Sequence, residues 1–391
     1  MGLFDKLFGR SPKQPREVTG DYKLLTGYTP VFSSGPAHIY ESQLIRSAIN
    51  ARATHISKLR VTFEGHGSQY LTERLKRPNE MQTWSQLLYR IATIWDVDNN
   101  VFIVPVFDKM NRIREIYPVL PSRSKLIEIK GRDEPWLAFE FANGRYAQLP
   151  VYQVALMTKF QYKKDYFGES NRALDPTMKL IDMNNQATVE GMRSAATFRF
   201  MASYANVAFG EDLAAEQKRF NESSMNAEKG GGILLFPSTY NNPKQIESKP
   251  FVIDAEQQKQ ITESVMNYFG VNEDILQGRA SGDKWAAFYE SAIEPFAIQF
   301  SEVMTDLFRL CGELTGEAAV YATANRLQFL SNAEKLNVSS SLLDRGILSI
   351  NDVRDIWNLP PVEDGDRRII RGEYYDTNQK LSEVNDNANQ E

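Results

Sequence analysis

The chain has 391 residues, 42% of them hydrophobic and 24% charged, with a formal net charge of −5 and one cysteine. That length provides for two or three cores, no apolar run approaches the roughly 18 residues of a membrane span, and one cysteine excludes an internal disulfide. The acidic balance argues against a tight nucleic-acid binder, which gains affinity by releasing counterions to basic residues, but not against a protein that DNA slides past.

Residues 1–36 are expected to be irregular, punctuated by Pro12, Pro15, Gly20, Gly27, Pro30 and Gly35. The apolar run of MGLFDKLFGR is too short for a signal peptide, and Lys6 stands where myristoylation needs Ser or Thr. Leu3, Phe4, Leu7 and Phe8 suit one amphipathic turn, as in a docking arm. A helix follows from Ile39 to Leu59, then a strand from Arg60 to Glu64 and a turn at Gly65-His66-Gly67. A short helix at Leu71–Leu75 precedes a helix from Trp84 to Trp95, with Thr83 and Gln86 forming a capping box and Asp98-Asn99-Asn100 breaking it. Strands at Val101–Phe107, Ile113–Leu120, Ser124–Lys130, Trp136–Phe141 and Arg145–Gln148 read as one antiparallel set, with another at Val154–Phe160.

Asp175-Pro176 opens a helix reaching about Gly191, with Asp as cap. Phe198–Phe209 reads as strand-like and Asp212–Met225 as helical. Gly230–Gly232 is a hinge, Ile233–Phe236 a short strand and Tyr240–Pro243 a turn. Asp254 with Gln257 caps a helix through Ile261, Val265 and Tyr268, so two helices bracket an outlying module. Gln277–Lys284, with two glycines and mixed charge, is expected to be a mobile polar loop. It leads into one long amphipathic helix carrying Trp285, Phe288, Ala292, Phe296, Phe300, Val303, Leu307 and Cys311 at steps of three and four. At 1.5 Å per residue that rod would run roughly 40 Å. Pro295 removes a bond to the Ser291 carbonyl and should kink it. A strand within Ala319–Phe329 and a helix at Ala333–Leu343 follow. Another helix has Ser349 as cap and Asp352 closing the box, and from Tyr374 the tail reads as disordered.

Recognisable chemistry is sparse. His38, His55, His66 and Cys311 have no metal-ligand spacing, and no nucleotide loop follows Gly230-Gly231-Gly232, so neither metal nor cofactor is expected. Glu363-Asp364-Gly365-Asp366 lacks the remaining calcium ligands and reads as a turn. Ser281-Gly282-Asp283-Lys284 matches the S-x-x-K of serine acyl-enzymes, the rival reading. Ser122–Lys125 matches it as well, however, and the partner motifs are missing.

A series of segments carries a resemblance: LKRPNEMQT at Leu75–Thr83, VFIVPVFD, IYPVLPSR, VALMTKF, GESNRAL at Gly168–Leu174, YFGVNEDILQG, IEPF, and RGILSINDVRDIWNLPPVEDGD at Arg345–Asp366. In that order, over roughly 37–370, the chain resembles the tailed-bacteriophage portal proteins of the family typified by phage HK97. Asn272 and Asn171 stand where that family usually has proline and Asp352 where it has glutamate; these exchanges keep turn or cap chemistry. The resemblance implies an α+β portal fold with an α+β wing, a helical stem, a small α/β clip, a long kinked helix and a helical crown. Its parts would be an arm (1–36), wing (37–170), stem helix (171–192), clip (193–251), stem helix (252–268), tunnel loop (269–284), spine and second wing part (285–330), and crown with tail (331–391). It also implies a structural protein, not an enzyme. A ring of twelve copies at one capsid vertex of the virion, assembled in the host cytoplasm, would pass double-stranded DNA during packaging and ejection. Large terminase, major capsid protein and a head–tail adaptor would be its partners, without a membrane; the chain as such an adaptor is the other alternative. Arg279, Ser281 and Lys284 are the channel-contact candidates and Pro295 the spine kink. The same residues admit a plainer reading, in which Lys284 begins the helix and Arg279 pairs with Asp283 or a neighbouring subunit. Glu256, Lys259 and Glu263 would face either the channel or an adjacent subunit.

Overall fold

Short strands cut by turns fill the chain from residue 100 to 158, and backbone pairing sorts them into separate sheets rather than one. The computed structural model describes residues 22–28, 39–65, 68–142, 144–195, 199–204, 214–215, 217–218, 240–246, 255–324 and 332–370. The expectations for 1–21, His66-Gly67, most of 205–239, the Asp254 cap and the tail from Tyr374 lie outside these residues.

Two compact units emerge, one formed by 1–175 with 262–391 and the other by 176–261. In the first, β1 (Tyr22–Tyr28) precedes a 3-10 turn at Ile39–Glu41 and α1 (Gln43–Ile56). Then come β2 (Arg60–Glu64), α2 (Ser68–Arg74) and α3 (Trp84–Asp98). The Thr83–Gln86 capping box is present, and Asn99 ends α3 in the left-handed region at φ 58°. Next are β3 (Asn100–Phe107), β4 (Ile113–Val119), β5 (Arg123–Ile129), β6 (Pro135–Glu140), β7 (Tyr146–Pro150) and β8 (Ala155–Thr158).

The expected single antiparallel set is two sheets, in the orders β1-β5-β6-β7 and β4-β3-β8. Alternation marks a strand but not its partner. The segment expected to be irregular contains β1, which pairs antiparallel with β5 from Tyr22 opposite Ile129 to Tyr28 opposite Ser124, with an irregularity between Leu24 and Thr26. A strand completed by a partner a hundred residues away has little local signature. Phe102 and Val104 of one sheet share a core with Leu137, Phe139 and Ala147 of the other, and Phe102 meets Phe139 edge-on at 5.1 Å between centroids. Each such fully buried large side chain contributes roughly 1.5–3 kcal/mol.

The second unit contains α4 (Asp175–Ala195, entered through a 3-10 turn at Arg172–Leu174), β9 (Arg199–Tyr204) and β10 (Tyr240–Ile246). The expected turn at Tyr240–Pro243 is therefore strand. It pairs with β9, and the register slips between Asn241 and Lys244, so Pro243, which has no N–H to give, falls in the irregularity.

The chain returns through α5 (Ala255–Phe269), α6 (Glu273–Leu276) and α7 (Asp283–Phe288) to a π-helical turn at Tyr289–Ile293 and α8 (Glu294–Leu310). The single α-helix expected from Trp285 onward is thus broken by a π turn, and Pro295 sits in the first turn of α8, where its missing N–H costs least. β11 (Ala319–Thr323) pairs with β2. The Thr305 and Ser301 hydroxyls of α8 accept the Val320 and Ala322 N–H groups at 2.9 Å each, which fixes β11 against the rod. Cys311, expected on the rod's apolar face, is its half-buried C-cap, and burial, with Glu313 nearby, pushes its thiol up to about 11. Last come α9 (Asn332–Asp344), β12 (Arg345–Ser349), α10 (Ile350–Ile356) and β13 (Arg368–Ile370). The β12–β13 pair has no counterpart in the sequence reading, whereas the Ser349–Asp352 box is formed.

Candidate functional site

The polar segment ahead of the rod is a compact, self-paired turn. Asn272 caps α6 by accepting the Ile275 N–H at 2.9 Å, so asparagine does here what a cap requires. The chain then doubles back, and the Arg279 and Ala280 N–H groups both donate to the Asp274 carbonyl at 2.8 and 3.2 Å. Gly282, at φ 55° and ψ −131°, occupies a conformation L side chains avoid, and from it α7 begins. Lys284 Nζ lies 2.6 Å from Asp274 Oδ2, and Arg279 Nη2 lies 3.9 Å from Glu273 Oε1. The Lys284 hydrogen bond, aided by its charge, holds the Asp274 carboxyl below the usual carboxylate range.

Arg279, Ser281 and Lys284 are all exposed, as a surface that meets a ligand requires. The structure brings each cation to a carboxylate of the preceding short helix, six residues upstream for Arg279 and ten for Lys284. Lys284 does begin the helix, whereas within the chain Arg279 lies nearest Glu273 rather than the Asp283 of the plainer reading, whose other alternative was a neighbouring subunit. For the acyl-enzyme reading, the Lys284 ammonium hydrogen-bonds the Asp274 carboxylate, whereas that chemistry needs the lysine at the serine hydroxyl.

The rod that carries this segment is bolted at its π turn by a buried ionic cluster. Arg52 of α1 donates Nε and Nη2 to the Ala292 carbonyl at 3.1 and 2.9 Å, and Nη1 to Asp96 Oδ1 at 2.7 Å. Lys159 Nζ reaches the same oxygen at 2.8 Å, and the Asp96 side chain is wholly buried. Trp95 lies under both cations, with Arg52 at 4.8 Å and Lys159 at 5.4 Å from its ring centroid. Burial lowers the Lys159 pKa while Asp96 opposes the shift. Such an ion pair adds little net stability over apolar packing; leaving either charge alone is the expensive state.

A second hub joins the cluster. Asn171, 3% exposed, donates Nδ2 to the Asp96 and Val97 carbonyls at 2.9 Å each, and its Oδ1 accepts from Asn99 Nδ2 and the Tyr268 hydroxyl at 2.7 Å each. One amide thereby ties the end of α3 to α5. Gly168 is needed beside it, because a Cβ there would stand 2.1 Å from the Lys159 carbonyl oxygen. Asn100 clamps Gly168 from both sides, accepting its N–H at 2.8 Å and donating to its carbonyl at 3.1 Å.

Sequence reasoning missed Arg52, Asp96 and Lys159 and took Asn171 for a plain turn residue. The one available signal was a run of acid and amide side chains, Asp96 to Asn100, closing an apolar helix. Among the described residues no group of three or more His, Cys, Asp or Glu side chains could hold a metal ion, and no helix is long and apolar enough to cross a membrane.

A family model described as phage portal protein matches residues 44–358. Among solved structures the chain is similar to one from the neck of a native GTA particle computed with C12 symmetry, with a TM-score of 0.57 and 16% identity over 85% of this chain and 96% of that one. A chain from the virion of a native gene transfer agent particle gives a TM-score of 0.55 and 17% identity, over 85% and 96%. An HK97 family phage portal protein from Corynebacterium diphtheriae aligns over 74% of this chain and 95% of that one at 10% identity, with a TM-score of 0.47. No curated protein matches at a significant level. The two higher-scoring likenesses show a shared fold of mixed helices and strands.

Proposed function

Since the chain belongs to the phage portal protein family, we propose that it forms a ring at one capsid vertex and serves as the conduit for double-stranded DNA. The family is structural and not enzymatic. The observation that carries the reading is the family match over 44–358, which takes in both sheets except β1, the self-paired turn and the π-broken rod in one order. The C12 symmetry of the similar neck supports twelve copies. We assign residues 37–170 and the rod to a wing, the helices at 171–192 and 252–268 to a stem, 193–251 to a clip, 269–284 to a channel loop and the region from 331 to a crown. Large terminase, major capsid protein and a head–tail adaptor are the proposed partners, and the portal vertex of the virion is the proposed location.

The chemistry proposed for the loop is contact without grip. Arg279 and Lys284 are presented to a passing phosphate, Lys284 already paired with Asp274 and Arg279 in loose contact with Glu273. An exposed ion pair contributes only about 0–1 kcal/mol, so exchanging a carboxylate for a phosphate and back costs little at each step. A loop of bare cations would hold the duplex, whereas a self-compensated one lets it move. Electron microscopy of the purified protein tests the reading. Closed rings with an opening wider than the roughly 20 Å duplex are expected, and a monomer in intact particles would overturn it.

A further inference from the structure

A cleft of about 470 Å³ lies between the start of β6, the β7–β8 connection and the last turns of α8. Its floor and walls are Val151, Leu156, Tyr166, Val303, Leu307 and Leu310, and Leu310 is 61% exposed. The acids lining it, Glu134 and Asp306, are exposed, and Asp306 keeps a loose contact of 3.7 Å with Arg309 of its own helix. An apolar trough with an acidic edge calls for an amphipathic occupant carrying positive charge.

We propose that the occupant is the N-terminal segment of this chain, with Leu3, Phe4, Leu7 and Phe8 as the anchoring face. Spaced i, i+1, i+4 and i+5, those four positions would share one face if the segment docked as a helix, the arrangement by which a helix enters a groove. Lys6 and Arg10 flank the stripe, opposite in sign to Glu134 and Asp306; Asp5 is the one acid among the first ten residues. The tether starts in the right place. Tyr22 pairs with Ile129, the neighbouring Glu128 pairs with Pro135, and Trp136 pairs with Pro150. The chain therefore enters the sheet at the end where Pro135 and Val151 line the cleft, about two strand spacings or 10 Å away. Residues 9–21 can extend to about 40 Å, so the reach is ample.

Hydrogen–deuterium exchange on the full chain and on a chain lacking residues 2–10 tests this. Amides of 151–156 and 306–311 are expected to exchange about tenfold faster in the truncated chain, with those of β3 unchanged. Adding a peptide of residues 1–12 should restore protection, and the same peptide with Leu3, Phe4, Leu7 and Phe8 replaced by serine should not. Leu310→Glu, a change at an exposed position, should reproduce the loss in the full chain. Equal exchange in both chains, restoration by the serine peptide, or protection lost only when the assembly is dissociated, which would assign the cleft to a second copy, overturns the proposal.

Discussion

The Arg52 guanidinium gives two of its N–H groups to the carbonyl of Ala292, 240 residues further along, at 3.1 and 2.9 Å. That carbonyl lies in the π turn, where Pro295 and the extra residue disturb the regular ladder, and an outside donor meets it there. Arg52→Met is expected to destabilise the protein by about 3–5 kcal/mol, because it leaves Asp96 and Lys159 buried without the second cation. Arg52→Lys should recover less than half of this, since an ammonium cannot reproduce the fork. Denaturant unfolding of both variants is the measurement, and equal stability of Arg52→Lys and the parent would refute the role given to the fork.

Pro295→Ala separates the proline from the π turn. Trp285 stacks on Tyr289 at 5.3 Å, and Phe288 meets His55 at 5.4 Å. Converting the π turn to regular helix would rotate this upstream half about 100° against α8 and expose those rings. Burial therefore holds the π turn, and Pro295→Ala is expected to keep it and change stability by no more than about 1 kcal/mol. A crystal structure of the variant with regular α-helix across Tyr289–Ile293 would show that the proline imposes the π turn.

Asp98 makes stability depend on pH. Burial pushes its carboxyl from 3.8 up to about 7 in the folded chain. Between those values the folded state keeps a proton that the unfolded state has lost, so this group's contribution falls as pH rises through the window and levels off above about 7. His55, lowered to about 4 by burial first and Lys58 second, acts in the opposite sense below pH 6.5 and is common to parent and variant. Asp98→Asn should thus match the parent near pH 4 and exceed it by a few kcal/mol above pH 7. A stability difference that stays flat from pH 4 to 8 contradicts this.

Asp274→Asn releases Lys284 from its closest carboxylate and removes one negative charge from the loop. Binding of duplex DNA is expected to tighten severalfold, with the slope of log affinity against log salt steeper by up to about one. Lys284→Ala should leave the already weak binding nearly unchanged. Titrations at two salt concentrations decide it, and weaker binding by Asp274→Asn would mean the pair itself contacts DNA.

What depends on near neighbours was legible in the sequence. The Thr83–Gln86 and Ser349–Asp352 boxes formed as their spacing requires. The apolar face of the rod followed from steps of three and four, and the exposure of Arg279, Ser281 and Lys284 from the glycines around them. Partner choice was not legible. Arg279 meets Glu273 because the chain reverses near Gly278, and β1 finds β5 across the sheet. The Arg52–Asp96–Lys159 cluster and the four bonds of Asn171 exist only where the tertiary fold excludes water and brings ordinary charged and amide side chains to partners far away in the chain. Periodicity and capping are set by dihedrals within a turn or two, whereas desolvation and long-range pairing are properties of the packed whole.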